Sequence, residues 1–224
     1  MSKNIAAMVP VRAGSVRIKD KNIRPFADTN LLSLKLKLLQ QLDGLANIVV
    51  TTDCDICADI AKSSGVEIQW RDKFYAGSSI TNDLHWYNIA ANAPCDDIFL
   101  AQVTSPLLRV STMQSALDLF ETLDVSDSLN SVSSEKKFLW QDGKTLNYDE
   151  NETPKSQDLP EIVSLNFAIN MISKKVMMER KNVVGYQPKF FNLDKIEAFD
   201  IDDESDFEIA ESIYKQRGLE WLMG

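Results

Sequence analysis

The chain has 224 residues, a formal net charge of −9, 44% hydrophobic and 25% charged residues, which suits one sizeable core or one core with a small appendage. Its acidity excludes a nucleic-acid polymer as the main partner, because phosphate-backbone binding needs a broad basic face. No stretch approaches the ~20 apolar residues of a membrane span, and the opening MSKNIAAMVPV lacks a secretory pattern, so a cytoplasmic location is expected.

Ile5 to Val11 reads as a buried first strand, and Leu31 to Leu42 as a helix with leucines at helical spacing. The β-branched run Ala46 to Thr52 predicts a second strand, followed by a helix over about 55–64. Val66 to Trp70 continues as a short strand beyond the Gly65 stop signal. A helix over 82–91 and a buried strand at Asp97 to Val103 come next, then a helix with Ser111 as its N-cap. This alternation predicts a three-layer α/β fold around a mostly parallel, Rossmann-like sheet. After Asp124 the rhythm breaks. Val132 to Asp142 and Lys144 to Tyr148 read as a hairpin turning at Asp142-Gly143, and 149–160 as a polar excursion. Ile162 to Ile172 returns to the sheet, and Ile196 to Ile201 precedes a terminal helix over 204–216. The expectation is one domain, 1–224, carrying an insertion at 132–163, commonly a lid or an oligomer contact.

Two segments stand out chemically. The loop after the first strand, PVRAGSVRIKDKNIRPF, holds Arg12, Arg17, Lys19, Lys21 and Arg24 with Asp20 as its only acid. A cationic loop at the carboxyl end of a first strand is where open α/β sheets bind ligands. In an acidic protein it suggests a local polyphosphate site. Gly14-Ser15 offers backbone N–H groups for close approach, although the P-loop pattern is absent. Near the other end lies FDIDDESDFEIAE. Asp200 and Asp202 flank Ile201 at an expected strand end, where period-two geometry points both carboxylates to one face. Two hard oxygen ligands beside a polyphosphate suit Mg²⁺. Asp203 or Glu204 is expected to cap the terminal helix.

Other candidates read more plainly. Cys54 and Cys57 form C-x-x-C, but with one histidine and no second pair they read as helix-start cysteines in a reducing compartment. That one histidine, His85, reads as a polar helix-face residue.

Four segments in register resemble the acylneuraminate cytidylyltransferases, the CMP-sialic acid synthetase family. PVRAGSVRIKDKNIRPF looks like the family's nucleotide-binding signature, and AQVTSPL (101–107) its Q-P-T-S-P-L segment. LNFAINM (165–171) is similar to N-G-A-I-Y, and FDIDDESDFEIAE to D-I-D-x-E-x-D. The resemblance covers about 5–213 and implies transfer of CMP from CTP to an acidic, nonulosonic or related ulosonic sugar, with release of pyrophosphate. It implies that Arg12, Ala13, Gly14, Ser15, Lys21 and Asn22 hold the triphosphate, with Arg71 and Asn82 near the nucleotide. Gln102, Thr104, Ser105 and Asn166 would serve the acceptor, and Asp200 and Asp202 would bind Mg²⁺. Arg12, Lys21 and Asp202 would carry the catalysis. It also implies that the insertion pairs two subunits in a homodimer; Phe138, Leu139 and Trp140 are apolar enough for that contact, the alternative being that they pack on their own subunit. The chain departs from the family at Val16, where a lysine is usual. It departs again at Ser164 (arginine), Phe167 (glycine) and Asn170 (tyrosine), so the changes gather around the expected acceptor pocket.

Two other enzymatic readings are a nucleotidyltransferase with a phosphorylated polyol or amino-acid acceptor, and a glycosyltransferase using Asp53 and Asp55 as a loose D-x-D. A non-catalytic nucleotide sensor is the third alternative.

Overall fold

The computed structural model describes residues 3–14, 17–77, 79–124 and 127–224. In chain order these form β1 (Ile5–Pro10), the short β2 (Pro25–Phe26) and β3 (Thr29–Asn30), α1 (Leu31–Leu39), β4 (Leu45–Thr52), α2 (Asp55–Ser63) and β5 (Glu67–Trp70). There follow α3 (Lys73–Ala76), α4 (Asn82–Asn92), β6 (Asp97–Leu100), α5 (Val110–Glu121), β7 (Asp127–Glu135), β8 (Trp140–Gln141) and β9 (Lys144–Thr145). A 3₁₀ turn at Ser156–Asp158, β10 (Ile162–Ser173), α6 (Lys174–Arg180), β11 (Gln187–Asn192) and α7 (Glu204–Met223) complete the chain.

Seven strands build one sheet in the order β11-β7-β10-β6-β1-β4-β5. Strand β1 pairs parallel with β4 and β6, β4 with β5, and β11 with β7, while β10 runs antiparallel to both of its neighbours. The sheet is therefore mostly parallel, as the β-α alternation requires.

The pleat of β1 sorts the core into two layers. Ile5, Ala7 and Val9 face a cluster containing the leucines of α1 with Phe120 and Phe207. Ala6 and Met8 face Ile89 and Ala90 of α4 and Val176 and Met177 of α6. Both faces are covered, which explains why the central strands read as unbroken apolar runs rather than alternating ones. Helix α1 is nearly all buried because it is leucine-rich around most of its circumference.

Several local expectations need correction. Arg109, not Ser111, is the N-cap of α5. Ile196 to Ile201 forms no strand, and the edge strand β11, polar and with Pro188 inside it, gave no strand signal. The hairpin is shorter than its sequence suggests: Val132 to Glu135 belongs to β7 of the main sheet, and the hairpin itself is the short pair β8 and β9. Its turn does fall at Asp142 (φ +50°) and Gly143 (φ +77°), the two left-handed residues of a type I′ turn.

Candidate active site

Strand β1 ends in the middle of the parallel part of the sheet, so its following loop emerges between the ends of β4 and β6. Ile18, buried, anchors that loop, and the amides of Ile23 and Arg24 donate to the Asp20 carbonyl at 2.9 and 2.8 Å. The loop is thus a folded turn rather than a solvated tail.

A cleft of about 310 Å³ opens at this edge, where ligands bind in open α/β sheets. Its lining includes Arg12, Arg17, Lys21, Arg71, Asn82 and His85, with Gln102 and Thr104 on the far wall. Four cations and no carboxylate line it among the described residues, although the chain as a whole is acidic. Such a concentration in a low-dielectric groove selects a multiply charged anion.

Three of the four cations are held by backbone carbonyls. Arg12 donates from Nη1 to the Ala76 carbonyl at 3.1 Å, and Lys21 donates from Nζ to the Ile201 carbonyl at 2.7 Å. Arg71, 6% exposed, donates from Nη2 to the Val11 carbonyl at 2.7 Å, and its Nε has no partner. A buried guanidinium nitrogen without an acceptor is costly, and an anionic ligand in this cleft would supply one. Burial lowers the pKa of Arg71 and that of Lys21, opposed for Lys21 chiefly by Asp200.

The remaining sequence candidates divide. Asn22 is buried and braces the loop, donating from Nδ2 to the Arg12 carbonyl at 3.3 Å. The Ala13 amide already donates to Asp53 Oδ1 at 3.0 Å, so it is engaged by a carboxylate. Gly14 has φ +66° and no neighbour around its Cβ position, so conformation alone calls for glycine there. Ser15 and Val16 lie outside the described residues. Ser105 is buried away from the cleft, and its carbonyl accepts from Lys35 Nζ at 2.9 Å.

Asn166 is also not part of this cleft. Its side chain is engaged by Ser131 and Ser133, where β10 bulges against β7 between Leu165 and Asn170. Phe167 sits in that bulge at φ +57°. The backbone there explains the glycine of the resembling family, since a bulky residue in this region is strained.

Asp200 and Asp202 reach the cleft edge on an irregular segment rather than a strand. The Ile201 amide donates to the Thr104 carbonyl at 2.9 Å, so the acid segment is pinned to the wall of the cleft. The Asp200 carboxyl lies above its usual range, mainly through burial; the charge of Asp202 adds to this and the Thr104 hydroxyl opposes it. A partly desolvated carboxylate beside a second one suits a divalent cation. Among the described residues no group of three or more histidine, cysteine or acidic side chains could hold a metal. A hard cation here would complete its shell from phosphate and water, as Mg²⁺ does.

Asp206, another acid of this segment, is committed to structure. Its Oδ2 accepts from the amides of Asp202 and Asp203 at 3.0 Å each, and its own amide donates to Asp203 Oδ1, a capping box at the start of α7.

Three residues have roles that the sequence reading did not assign to them. His85 lines the cleft rather than a polar helix face, and burial with Arg71 and Arg12 nearby pushes its pKa down to about 4. Asp53 anchors the basic loop through Ala13. Lys35 is fully buried in α1, and its pKa is lowered to about 8 by burial. Its signal was present: Leu31, Lys35, Leu38 and Leu42 share one helix face.

A family model described as cytidylyltransferase matches residues 6–221. The chain belongs to the cytidylyltransferase family. Post-translational flagellin modification protein B of Campylobacter coli is 22% identical, over 96% of this chain and 97% of that protein. CMP-N,N′-diacetyllegionaminic acid synthase of Legionella pneumophila is 27% identical over 93% of this chain and 95% of its own length. The N-acylneuraminate cytidylyltransferase of Escherichia coli O18:K1:H7 is 26% identical over 97% of this chain, which spans only 54% of that relative. The fold also matches a solved CMP:2-keto-3-deoxy-manno-octonic acid synthetase in complex with CTP, with TM-score 0.71 at 10% identity, covering 96% of this chain and all of that one.

The D-x-D alternative loses support, because Asp53 is already bonded to the basic loop.

Proposed function

We propose that this cytidylyltransferase transfers CMP from CTP to an acidic sugar of the nonulosonic or related ulosonic type, releasing pyrophosphate. The observation that carries this reading is the cleft itself: four cations converge on it and two carboxylates stand at its edge. The relatives named for legionaminic and N-acylneuraminic acids supply the acceptor class.

In this reading the triphosphate lies against Arg12, Lys21 and Arg71, with Asn82 at the start of α4 beside the nucleotide. Gln102 and Thr104 face the acceptor. The acceptor hydroxyl attacks the α-phosphorus, the bond to the bridging oxygen of pyrophosphate breaks, and charge develops on the leaving group. Lys21 is tied to the Ile201 carbonyl and Arg12 to Ala76, so both are positioned before that charge appears. Asp200 and Asp202 would hold Mg²⁺, which supplies electrostatic stabilisation of the phosphate oxygens. Ser164, Phe167 and Asn170, where the chain departs from the family pattern, do not line the cleft, so they leave this assignment of its residues unchanged.

We infer further that the protein works as one domain and as a cytoplasmic homodimer. Exposed Phe138, Trp140, Leu146 and Leu165 offer apolar surface near the hairpin, and Cys54, Cys57 and Cys95 are free thiols. No described helix is long and apolar enough to cross a membrane. The testing experiment follows pyrophosphate release with each nucleoside triphosphate against a panel of ulosonic acids, phosphorylated polyols and amino acids. Turnover with CTP and an ulosonic acid is expected; turnover only with another acceptor class would reassign the acceptor.

A further inference from the structure

Arg12, Lys21 and Arg71 all donate to backbone carbonyls. Arg17 is different. Its Nη1 lies 2.8 Å from Asp202 Oδ1, with the two side chains 66% and 57% exposed. Arg17 also lines the nucleotide cleft, which Asp202 does not. One guanidinium therefore bridges the phosphate groove and a proposed metal carboxylate.

We propose that Arg17 is an exchangeable counter-ion: it neutralises Asp202 before nucleotide and metal bind, and then passes to the triphosphate, releasing Asp202 to the metal. This rests on the nucleotide and metal reading above. Three physical facts support the exchange. An exposed ion pair contributes little stability, so breaking it costs little. A guanidinium and a divalent cation repel each other and compete for the same carboxylate. A guanidinium also matches phosphate oxygens as well as it matches a carboxylate. The neighbouring position, Val16, carries no charge where the resembling family has a lysine, and Arg17 is the cation of this loop that both lines the cleft and pairs with Asp202. The other cations that link the same segments make no ion pair with Asp200 or Asp202 among the described residues, since Lys21 donates to a carbonyl and Arg24 pairs with Glu204.

The exchange makes a prediction that a merely structural residue would not satisfy: removing Arg17 shifts two affinities in opposite directions. Binding of Mn²⁺ alone is measured by electron paramagnetic resonance, and binding of CTP in EDTA by calorimetry. Both are measured for the wild type, Arg17→Gln and Arg17→Lys, with melting temperature as the check on folding. Arg17→Gln is expected to bind Mn²⁺ roughly two- to fivefold more tightly and CTP more weakly by a similar factor. Arg17→Lys, which retains the charge, should return both values toward wild type. Unchanged or weaker Mn²⁺ binding by Arg17→Gln overturns the exchange, as does tighter Mn²⁺ binding with CTP affinity unaltered. If the wild type binds another nucleoside triphosphate but not CTP, the cytidylyl reading falls separately, and the exchange is scored with the triphosphate that binds.

Discussion

Lys21 and Ile201, 180 positions apart, are joined by one hydrogen bond of 2.7 Å from Nζ to the backbone carbonyl. The bond fastens the basic loop at the start of the chain to the acidic segment near its end. The two halves of the proposed site, for phosphate and for metal, are thereby held as one unit.

Replacing Lys21 with Met removes both the cation and this tie. In assays of pyrophosphate release, kcat/KM is expected to fall by roughly 10²–10³, the scale for losing one pre-positioned charge-stabilising donor. Circular dichroism and melting temperature should change little, because Lys21 is only half-buried. A loss below tenfold would remove Lys21 from the phosphate site.

Lys35 gives a stability prediction with a defined pH window. Burial lowers its pKa to about 8 from 10.5. Between those values the unfolded chain binds more protons than the folded one, so the contribution of Lys35 to stability rises with pH across that window. Below about pH 8 the buried charge is a standing cost. Lys35→Met should raise the melting temperature at pH 7, and the difference from wild type should shrink as pH approaches 10. A lower melting temperature at pH 7 would mean that the bond to the Ser105 carbonyl outweighs desolvation.

His85 can be followed without interference, being the only histidine in the chain. Its pKa is pushed down to about 4 from 6.5, by burial first and then by Arg71 and Arg12. The unfolded chain binds more protons between those values, so stability from this group is present above pH 6.5 and lost as pH falls toward 4. Proton NMR of the imidazole should show it neutral throughout pH 5.5–8. Titration near 6.5 would place His85 outside the cationic cleft.

Much of this was legible in the sequence, and the reasons are physical. The central strands announce themselves because burial on both faces demands continuous apolar residues. The basic loop stands out because its cations gather at a strand end in an otherwise acidic chain, and the acidic segment stands out by its density of carboxylates, part of which caps α7. Other features were hidden by tertiary context. The leucine face that Lys35 shares does not show how deep it lies until the helix is seen packed on nearly every side, and Asn166 reads as an acceptor contact until Ser131 and Ser133 are placed beside it. Asp200 to Asp202 read as a strand from their alternation. The segment is fixed by bonds from the Ile201 amide to the Thr104 carbonyl and from Lys21 to the Ile201 carbonyl, which no periodicity encodes.

Phe167 is one such context-dependent position, a bulky residue at φ +57°. Phe167→Gly should leave stability unchanged or raise it by up to ~1 kcal/mol, since glycine adopts this backbone freely. Phe167→Val should lower stability by ~1–2 kcal/mol, because a β-branched residue tolerates that region least. Denaturant midpoints at constant slope check both. A stabilising valine would contradict the strain.

The most direct measurement is thermal stabilisation by each of CTP, ATP, GTP and UTP with Mg²⁺. A ligand at about 100 times its Kd adds ~2.7 kcal/mol, which for a chain of this size raises the melting temperature by roughly 5–10 °C. Stabilisation by CTP, lost in Lys21→Met and absent with the other three, is the expected result. Equal stabilisation by all four triphosphates, or by none, would contradict a cytidylyl-transfer site in this cleft.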